Sequence, residues 1–140
     1  MIYFIDFDYT IADTSIMKSC IGNYKEKQKL IPQITIYKEA IDFINNLDKE
    51  EVYIVSGNVG STIKKAIKYF NLPISEDRVV GYRQGMPMQN LQRKIAVIKA
   101  AIKKFKLEDK LNEIVYIGDE EDDKIASEII GIKYIKTSWI

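Results

Sequence analysis

The sequence predicts an α/β fold, a three-layer sandwich with a mostly parallel, five-stranded, Rossmann-like sheet. Two observations support this prediction. Five short runs rich in β-branched and aromatic residues recur along the 140-residue chain, as in strands buried on both faces. Stretches with helical periodicity separate these runs. Strands that alternate with helices form right-handed βαβ units, which produce a parallel sheet covered by helices on both faces.

The five predicted strands are short and apolar. They cover Ile2–Phe7, Glu51–Val55, Arg78–Tyr82, Ile114–Ile117 and Ile132–Ile135. The helices between them are predicted from apolar residues that recur every three or four positions. The four stripes are Ala40, Ile41, Ile44 and Leu47; Ile63, Ala66, Ile67 and Phe70; Ile95, Ile98, Ile102 and Phe105; and Ile125, Ile129 and Ile130. Ser61 and Asn90 are expected to cap two of these helices.

Two segments depart from the alternation of strands and helices. Residues 14–33 are only weakly amphipathic and contain the basic run Lys25–Lys29, and residues 81–90 resemble a loop with two glycines and a proline. Both could lie at the rim of a substrate site. The chain is therefore expected to form one domain, residues 1–140, with a short cap-like insertion around residues 14–33.

Composition narrows the functional classes. A net charge of +1 provides no overall attraction to nucleic acid or to an anionic membrane. The single cysteine, Cys20, cannot form an internal disulfide, and neither a signal peptide nor a stretch of about 20 apolar residues is evident. We therefore expect a cytoplasmic protein. Because histidine is absent, acid–base chemistry near neutral pH would depend on carboxylates, lysine, tyrosine or the thiol.

Two aspartates flank a phenylalanine at the end of the first predicted strand. Asp6 and Asp8 would lie at the carboxyl edge of the sheet, where open α/β folds bind their ligands. Two carboxylates about 4 Å apart repel each other by roughly 4 kcal/mol at an effective dielectric constant of 20. A proton, a cationic side chain or a divalent metal ion must offset this repulsion. The pair is therefore a candidate catalytic site.

Polar residues also follow two later predicted strands. The second strand leads into a hydroxyl and backbone N–H groups that suit an anion, and the fourth leads into further carboxylates. These residues are Ser56, Gly57 and Asn58 after the second strand, and Gly118, Asp119, Asp122 and Asp123 after the fourth. Lys94 lies near the start of the third predicted helix. The further carboxylates would lie at the same edge of the sheet as Asp6.

In this order, these residues resemble the four motifs of the haloacid dehalogenase superfamily. The first motif is similar to Asp6-x-Asp8-x-Thr10, the second to the strand ending in Ser56, the third to Lys94, and the fourth to Gly118-Asp119 with Asp123. The resemblance covers essentially the whole chain and implies the fold of this superfamily with a small or absent cap. Two positions depart from the usual pattern: Tyr9, where many members have glycine, and Glu120, where serine is common.

The resemblance implies a Mg²⁺-dependent phosphomonoesterase. Asp6 would attack phosphorus and form an aspartyl-phosphate, and Asp8 would act first as general acid and then as general base. Mg²⁺ would bind the Asp6 carboxylate, the Asp8 backbone carbonyl and Asp119, an oxygen-only set that suits this ion, with Asp123 or Asp122 holding bound water.

The resemblance also implies a phosphate-binding set. Ser56, the Gly57–Asn58 backbone and Lys94 would hold the phosphoryl oxygens and neutralise their charge in the transition state. Thr10 belongs to the same group of residues and would orient the loop by hydrogen bonding.

Several alternatives remain open at this stage. The substrate is expected to be a small phosphorylated molecule, but a nucleic-acid end or a phosphoprotein is a second possibility because the insertion is too short for a large cap. A neighbouring subunit of a homo-oligomer could also cover the site. A regulatory domain that binds phosphate without turnover is an alternative of a different class. Dehalogenases of the superfamily lack the second aspartate of the first motif, so Asp8 favours phosphoryl transfer.

Overall fold

A computed structural model describes residues 1–20 and 22–139. Residue 21, inside the predicted insertion, and residue 140 lie outside the described residues. The strands are β1 (Ile2–Ile5), β2 (Ala12–Asp13), β3 (Thr35–Ile36), β4 (Val52–Val59), β5 (Val79–Tyr82), β6 (Ile114–Gly118) and β7 (Lys133–Lys136). The α-helices are α1 (Tyr24–Lys29), α2 (Lys38–Asn45), α3 (Gly60–Phe70), α4 (Asn90–Lys104) and α5 (Glu121–Ile130). Short 3₁₀ helices cover Ser15–Cys20, Ile31–Gln33, Lys49–Glu51, Glu76–Arg78 and Leu111–Glu113.

The central sheet has five strands in the order β5-β4-β1-β6-β7, and every pairing in it is parallel. The prediction of an α/β fold with a mostly parallel five-stranded sheet is confirmed. On β1, Ile5 is paired with Ile54 of β4 and with Ile117 of β6. This register brings the residues that follow Ile5, Ile54 and Ile117 to the same edge of the sheet. The chain order reverses at β1, and open α/β sheets bind ligands at such a switch point.

Helices cover both faces of the sheet, and successive residues of a strand point to opposite faces. On β1, Phe4 packs into the apolar cluster beneath α4 and α5, whereas Ile5 packs into the cluster beneath α2 and α3. On β4, Ile54 and Val55 divide in the same way. All four side chains are fully buried. The strands are therefore apolar on both faces, which is why they read as continuous apolar runs.

The helix predictions are confirmed in part. The α3 stripe is correct, since Ile63 and Ala66 are fully buried. In α5, however, the prediction for Ile129 is wrong, because its side chain is 59% exposed while the small residues Ala126 and Ser127 are buried. Close packing of α5 against the sheet and α4 needs small side chains, and a search for large apolar residues does not detect them.

The two predicted capping residues do not cap their helices. The residue before α3 is Val59, and Ser61 lies inside the first turn, where its Oγ is 2.8 Å from the Tyr24 hydroxyl. Asn90 is the first residue of α4, and its side-chain amide donates to the carboxylates of Glu120 and Asp122. Both side chains therefore tie separate elements together instead of closing the start of their own helix.

The segment between β2 and β3 forms a small excursion from the core. The two strands pair antiparallel at its base. Met17, Ile31 and Ile34 anchor the excursion in the apolar cluster beneath α2 and α3, whereas α1 buries no residue completely. The excursion is thus fixed at both ends, while α1 lies beside α3 above the edge of the sheet. Within the described ranges, no helix is long and apolar enough to cross a membrane.

Candidate active site

Three carboxylates converge at the edge of the sheet where the sequence places a catalytic site. Asp6 follows β1, Asp119 follows β6, and Asp123 lies in the first turn of α5. One carboxylate oxygen from each lies within 4.8 Å of the other two. The register of β1 with β6 brings Asp6 close to Asp119, because the Asp6 backbone N–H donates to the carbonyl of Ile117 at 2.9 Å. The sequence-based pairing of Asp6 with Asp119 therefore has the geometry it requires.

A single buried lysine lies inside this acidic cluster. The Lys94 ammonium is 3.3 Å from Asp6 Oδ2, 2.5 Å from Asp123 Oδ1 and 3.7 Å from Glu120 Oε1. Its side chain is only 4% exposed. Lys94 belongs to the inner face of α4, so the helical period that buries Val97 and Ile98 also directs Lys94 inward. The lysine predicted to bind phosphate is thus a buried cation at the wall of the cavity.

One lysine does not neutralise the whole cluster. Burial, reinforced by the charge of Asp6, raises the pKa of Asp119 to about 6 and the pKa of Asp123 to about 7. Burial also raises the pKa of Asp6, although Lys94 acts in the opposite direction. Burial alone would lower the pKa of Lys94, but the charges of Asp6 and Asp123 raise it above its ordinary value. The cluster therefore favours the arrival of further positive charge, which a proton or a metal ion can provide.

The donor set fits a hard divalent cation. Asp119 Oδ1 is buried and has no hydrogen-bond partner among the described residues, so this oxygen is available as a ligand. Asp6 Oδ1 accepts the N–H of Phe7 at 2.7 Å. Carboxylate oxygens without nitrogen or sulfur donors are the ligands that Mg²⁺ prefers. An orphaned buried oxygen costs free energy unless a ligand satisfies it, which supports the fit.

Asp123 makes more contacts than the other two carboxylates. Its Oδ1 accepts from Lys94, and its Oδ2 accepts from the backbone N–H of Glu120 at 3.0 Å, which closes a capping box at the start of α5. Asp123 thus orients Lys94 and the loop that carries Asp119. Asp122, the alternative considered for the same position, accepts from Asn90 and does not belong to the cluster of three in the part of the chain that the structure describes.

Asp8, the second aspartate of the first motif, has different hydrogen-bond partners from Asp6. Asp8 Oδ1 accepts from the Thr14 hydroxyl at 2.9 Å and from the Asn58 side-chain amide at 2.8 Å. Its carboxylate does not belong to the cluster of three within residues 1–20 and 22–139. The role implied by the resemblance, in which the backbone carbonyl of Asp8 binds the metal, stays a prediction. Both of these hydrogen bonds are made to the same carboxylate oxygen of Asp8.

The turn after the apolar part of β4 differs from the sequence-based expectation in one respect. Its backbone N–H groups were expected to be free for an anion, but that of Asn58 donates to Ser56 Oγ at 3.1 Å and that of Val59 donates to Asn58 Oδ1 at 2.7 Å. The strand continues to Val59 with an irregular register against β5. Ser56 and Asn58 are buried and, with Gly57, line the cavity above Asp6.

Thr10 and Tyr9 have different positions in the loop after β1. Thr10 is fully buried behind the cavity, where its carbonyl accepts from the Trp139 indole N–H at 2.7 Å, so it orients the loop and does not line the site. Tyr9 lines the cavity and has a φ of 58°, a left-handed conformation that favours glycine. This conformation explains physically why glycine is common at this position in the motif that the chain resembles.

Three further side chains at the site lie outside the sequence-based prediction. Thr14 contacts Asp8, Lys27 of α1 donates to Asn58 Oδ1 at 2.5 Å, and the Arg93 side chain covers Gly57, where an added Cβ would lie 3.3 Å from Arg93 Cδ. The basic run around Lys27 was visible in the sequence, but its periodicity was too weak to select one lysine. Arg93 was visible only as the neighbour of Lys94.

Comparisons with known proteins address the fold. No family model matches the chain, and no curated protein matches it. Among solved structures, a haloacid dehalogenase-like family hydrolase from Streptococcus pneumoniae is similar over 98% of this chain and 84% of its own, with 20% identity and a TM-score of 0.75. A candidate phosphatase from Clostridium difficile is similar over 96% and 83%, with 16% identity and a TM-score of 0.72. A hydrolase of the same superfamily from Ehrlichia chaffeensis is similar over 96% and 85%, with 16% identity and a TM-score of 0.63.

Proposed function

From a chain with the haloacid dehalogenase-like fold, we propose a Mg²⁺-dependent phosphomonoesterase that acts on a small phosphorylated molecule through an aspartyl-phosphate on Asp6. One observation carries the proposal: oxygens of Asp6, Asp119 and Asp123 lie within 4.8 Å of one another, and the Lys94 ammonium lies 3.3 Å from Asp6. The names of the similar structures, which include hydrolases and a candidate phosphatase, support the same reaction class.

The first half of the reaction uses the two aspartates of the first motif. A carboxylate oxygen of Asp6 attacks phosphorus, and the bond between phosphorus and the ester oxygen breaks. Asp8 donates a proton to the departing oxygen, which leaves as an alcohol. The cluster residues would hold Mg²⁺, which when bound would supply positive charge to Asp6 and to the phosphoryl oxygens. Splitting one difficult displacement into two easier ones is the advantage of a covalent intermediate.

The second half returns the site to its starting state. Asp8, now a carboxylate, accepts a proton from a water molecule as the water oxygen attacks phosphorus. The bond between phosphorus and Asp6 breaks, inorganic phosphate leaves, and Asp6 is again a carboxylate. The hydrogen bonds from Thr14 and Asn58 hold Asp8 in one orientation for both proton transfers. Lys94 remains charged throughout and stabilises the negative charge on Asp6 and on the phosphoryl oxygens.

Substituting Asp6→Asn should abolish turnover of p-nitrophenyl phosphate in the presence of Mg²⁺, because an amide oxygen cannot form the intermediate. The release of p-nitrophenol measures this directly. Asp42→Asn, an exposed aspartate on α2, removes the same charge away from the site and should retain the rate of the unsubstituted protein. Hydrolysis by Asp6→Asn at a comparable rate would contradict the nucleophile assignment. Absence of phosphate release from every phosphoester in a broad panel would instead favour a phosphate-binding domain without turnover.

A further inference from the structure

The cavity above Asp6 has a pronounced excess of positive charge. It has a volume of about 1630 Å³. Apart from the groups already assigned to the reaction, the described residues contribute seven cationic side chains and one acidic side chain to its walls. The acidic one, Glu120, lies within 4 Å of Lys94. The whole chain has a net charge of only +1, so this excess is a local property of the cavity. A cleft lined by one sign of charge raises the local concentration of ligands of the opposite sign.

One of these cations comes from α1, inside the excursion between β2 and β3. The Lys27 ammonium is half-buried and lies 2.5 Å from Asn58 Oδ1. Burial lowers the pKa of Lys27, the charge of Asp8 raises it, and the charge of Arg93 lowers it. A long cationic side chain that loses part of its hydration needs a compensating partner. An amide oxygen is only a partial one, because it carries no net charge.

A second cation reaches the same turn of β4 from α4. The Arg93 guanidinium donates to the backbone carbonyl of Met88 at 2.5 Å and lies 4.9 Å from the centre of the Tyr82 ring, and its aliphatic part covers Gly57. Within residues 1–20 and 22–139, neither Lys27 nor Arg93 has a carboxylate within 4 Å. Two cations from different elements therefore contact residues 56–58, and neither is in direct contact with a carboxylate of the described residues. The tyrosine face and the backbone carbonyl hold the guanidinium in position.

We infer that Lys27 and Arg93 form a subsite for a second anionic group, so that the substrate is a small phosphomonoester that also carries a carboxylate or another phosphate. This inference rests on the proposed function and specifies its substrate class. The reacting phosphoryl group lies at Asp6 and Lys94, and the second anion lies at Lys27 and Arg93, which contact Asn58 and Gly57. Lys27 is then a specificity-determining residue that the excursion supplies to the core.

Non-hydrolysable phosphonates test the subsite by binding alone. Phosphonoacetate, 3-phosphonopropionate and 4-phosphonobutyrate place a carboxylate at increasing distances from the phosphonate. Alkylphosphonates of matched size, with a branched methyl pair in place of the carboxylate, serve as neutral-ended partners. Titration calorimetry in millimolar Mg²⁺ gives the ratio of affinities for each pair. At least one carboxylate should bind about tenfold more tightly than its alkyl partner, since a hydrogen bond to a charged group is worth about that factor.

Substitution of Lys27 tests whether this residue causes the preference for the carboxylate over its alkyl partner. Lys27→Met should reduce the preference to about twofold or less while leaving the affinity for the alkylphosphonate nearly unchanged, and Lys27→Arg should restore much of it. Lys25→Met, on the exposed face of the same helix, should leave the preference intact. The inference is overturned if no carboxylate exceeds its alkyl partner, or if Lys27→Met weakens both members of a pair equally. Because these measurements do not require turnover, a subsite can be confirmed even if the phosphatase activity is not.

Discussion

Removing the cation from the acidic cluster should be among the most destabilising single substitutions in this chain. Lys94→Met keeps most of the volume of the side chain but deletes its charge. Lys94 contacts Asp6 at 3.3 Å and Asp123 at 2.5 Å, and Asp123 is fully buried. The substitution therefore leaves two buried carboxylates near each other without the cation that compensates their charge.

The magnitude follows from these distances. At an effective dielectric constant of 20, a unit charge 3.3 Å from Lys94 is attracted by about 5 kcal/mol, and one at 2.5 Å by nearly 7 kcal/mol. The desolvation of the lysine and the repulsion between the acids oppose this attraction. Breaking a buried ion pair by removing one partner typically costs about 3–5 kcal/mol, and we expect Lys94→Met to fall in this range. Such a loss is a large part of the total stability of a domain of this size.

Urea denaturation in EDTA at pH 7.5, followed by far-UV circular dichroism, measures the loss. Lys99→Met is the matched control, because Lys99 is exposed on the same helix and its replacement should change the unfolding free energy by less than about 0.5 kcal/mol. A double-mutant cycle with Asp123→Asn should show a coupling energy of about 1–3 kcal/mol, since the two residues are in direct contact. Equal stability of Lys94→Met and Lys99→Met would refute the reasoning.

Three further predictions concern the metal, the pH and the backbone. Millimolar Mg²⁺ should raise the melting temperature by several degrees, because the ion binds the folded chain, and EDTA should reverse this rise. Asp119→Asn should remove most of the rise. A melting curve that Mg²⁺ leaves unchanged would contradict the metal site. In EDTA, the unfolding free energy should fall as the pH rises from about 4 to 7. In the folded chain, Asp119 and Asp123 have pKa values of about 6 and about 7, so they still bind protons in this range. In the unfolded chain, aspartates lose their protons near pH 3.9, and ionisation therefore favours the unfolded state. Urea titrations at several pH values test the sign, and stability that rises over this window would contradict it. Gly81→Ala should destabilise the fold by about 1–3 kcal/mol and reduce activity, since the added Cβ would lie 2.5 Å from the carbonyl oxygen of Asn58. Thermal melting measures the stability and a rate assay measures the activity. Unchanged values of both would contradict this close contact.

Much of the site could be predicted because it depends on strand ends. In a parallel sheet, the residue after each strand reaches the same edge whatever the details of packing. Asp6 and Asp119 are therefore neighbours as soon as β1 and β6 pair in the register observed. Lys94 was selected through the motif that the chain resembles, and the structure shows it on the buried face of α4 beside Val97 and Ile98. These local regularities account for the fold class and for the acidic cluster.

Other features needed the packed structure. The two contacts of Asp123, with Lys94 and with the start of α5, depend on how closely α4 approaches α5. The exposure of Ile129 has the same origin, because Ala126 and Ser127 are the residues that fit against the neighbouring elements. An apolar stripe in a sequence shows which residues prefer burial, but the distance between elements decides which of them are buried.

The sequence alone placed acids and a hydroxyl at the ends of parallel strands, because the strand pattern is a local property of the chain, and the motifs that it resembles added the lysine. Only the tertiary structure decided that Lys27 contacts Asn58, 31 residues away, and that Arg93 covers Gly57. A long, flexible cationic side chain has no periodicity that indicates its destination. Its partner is selected when α1 and α4 pack around the end of β4.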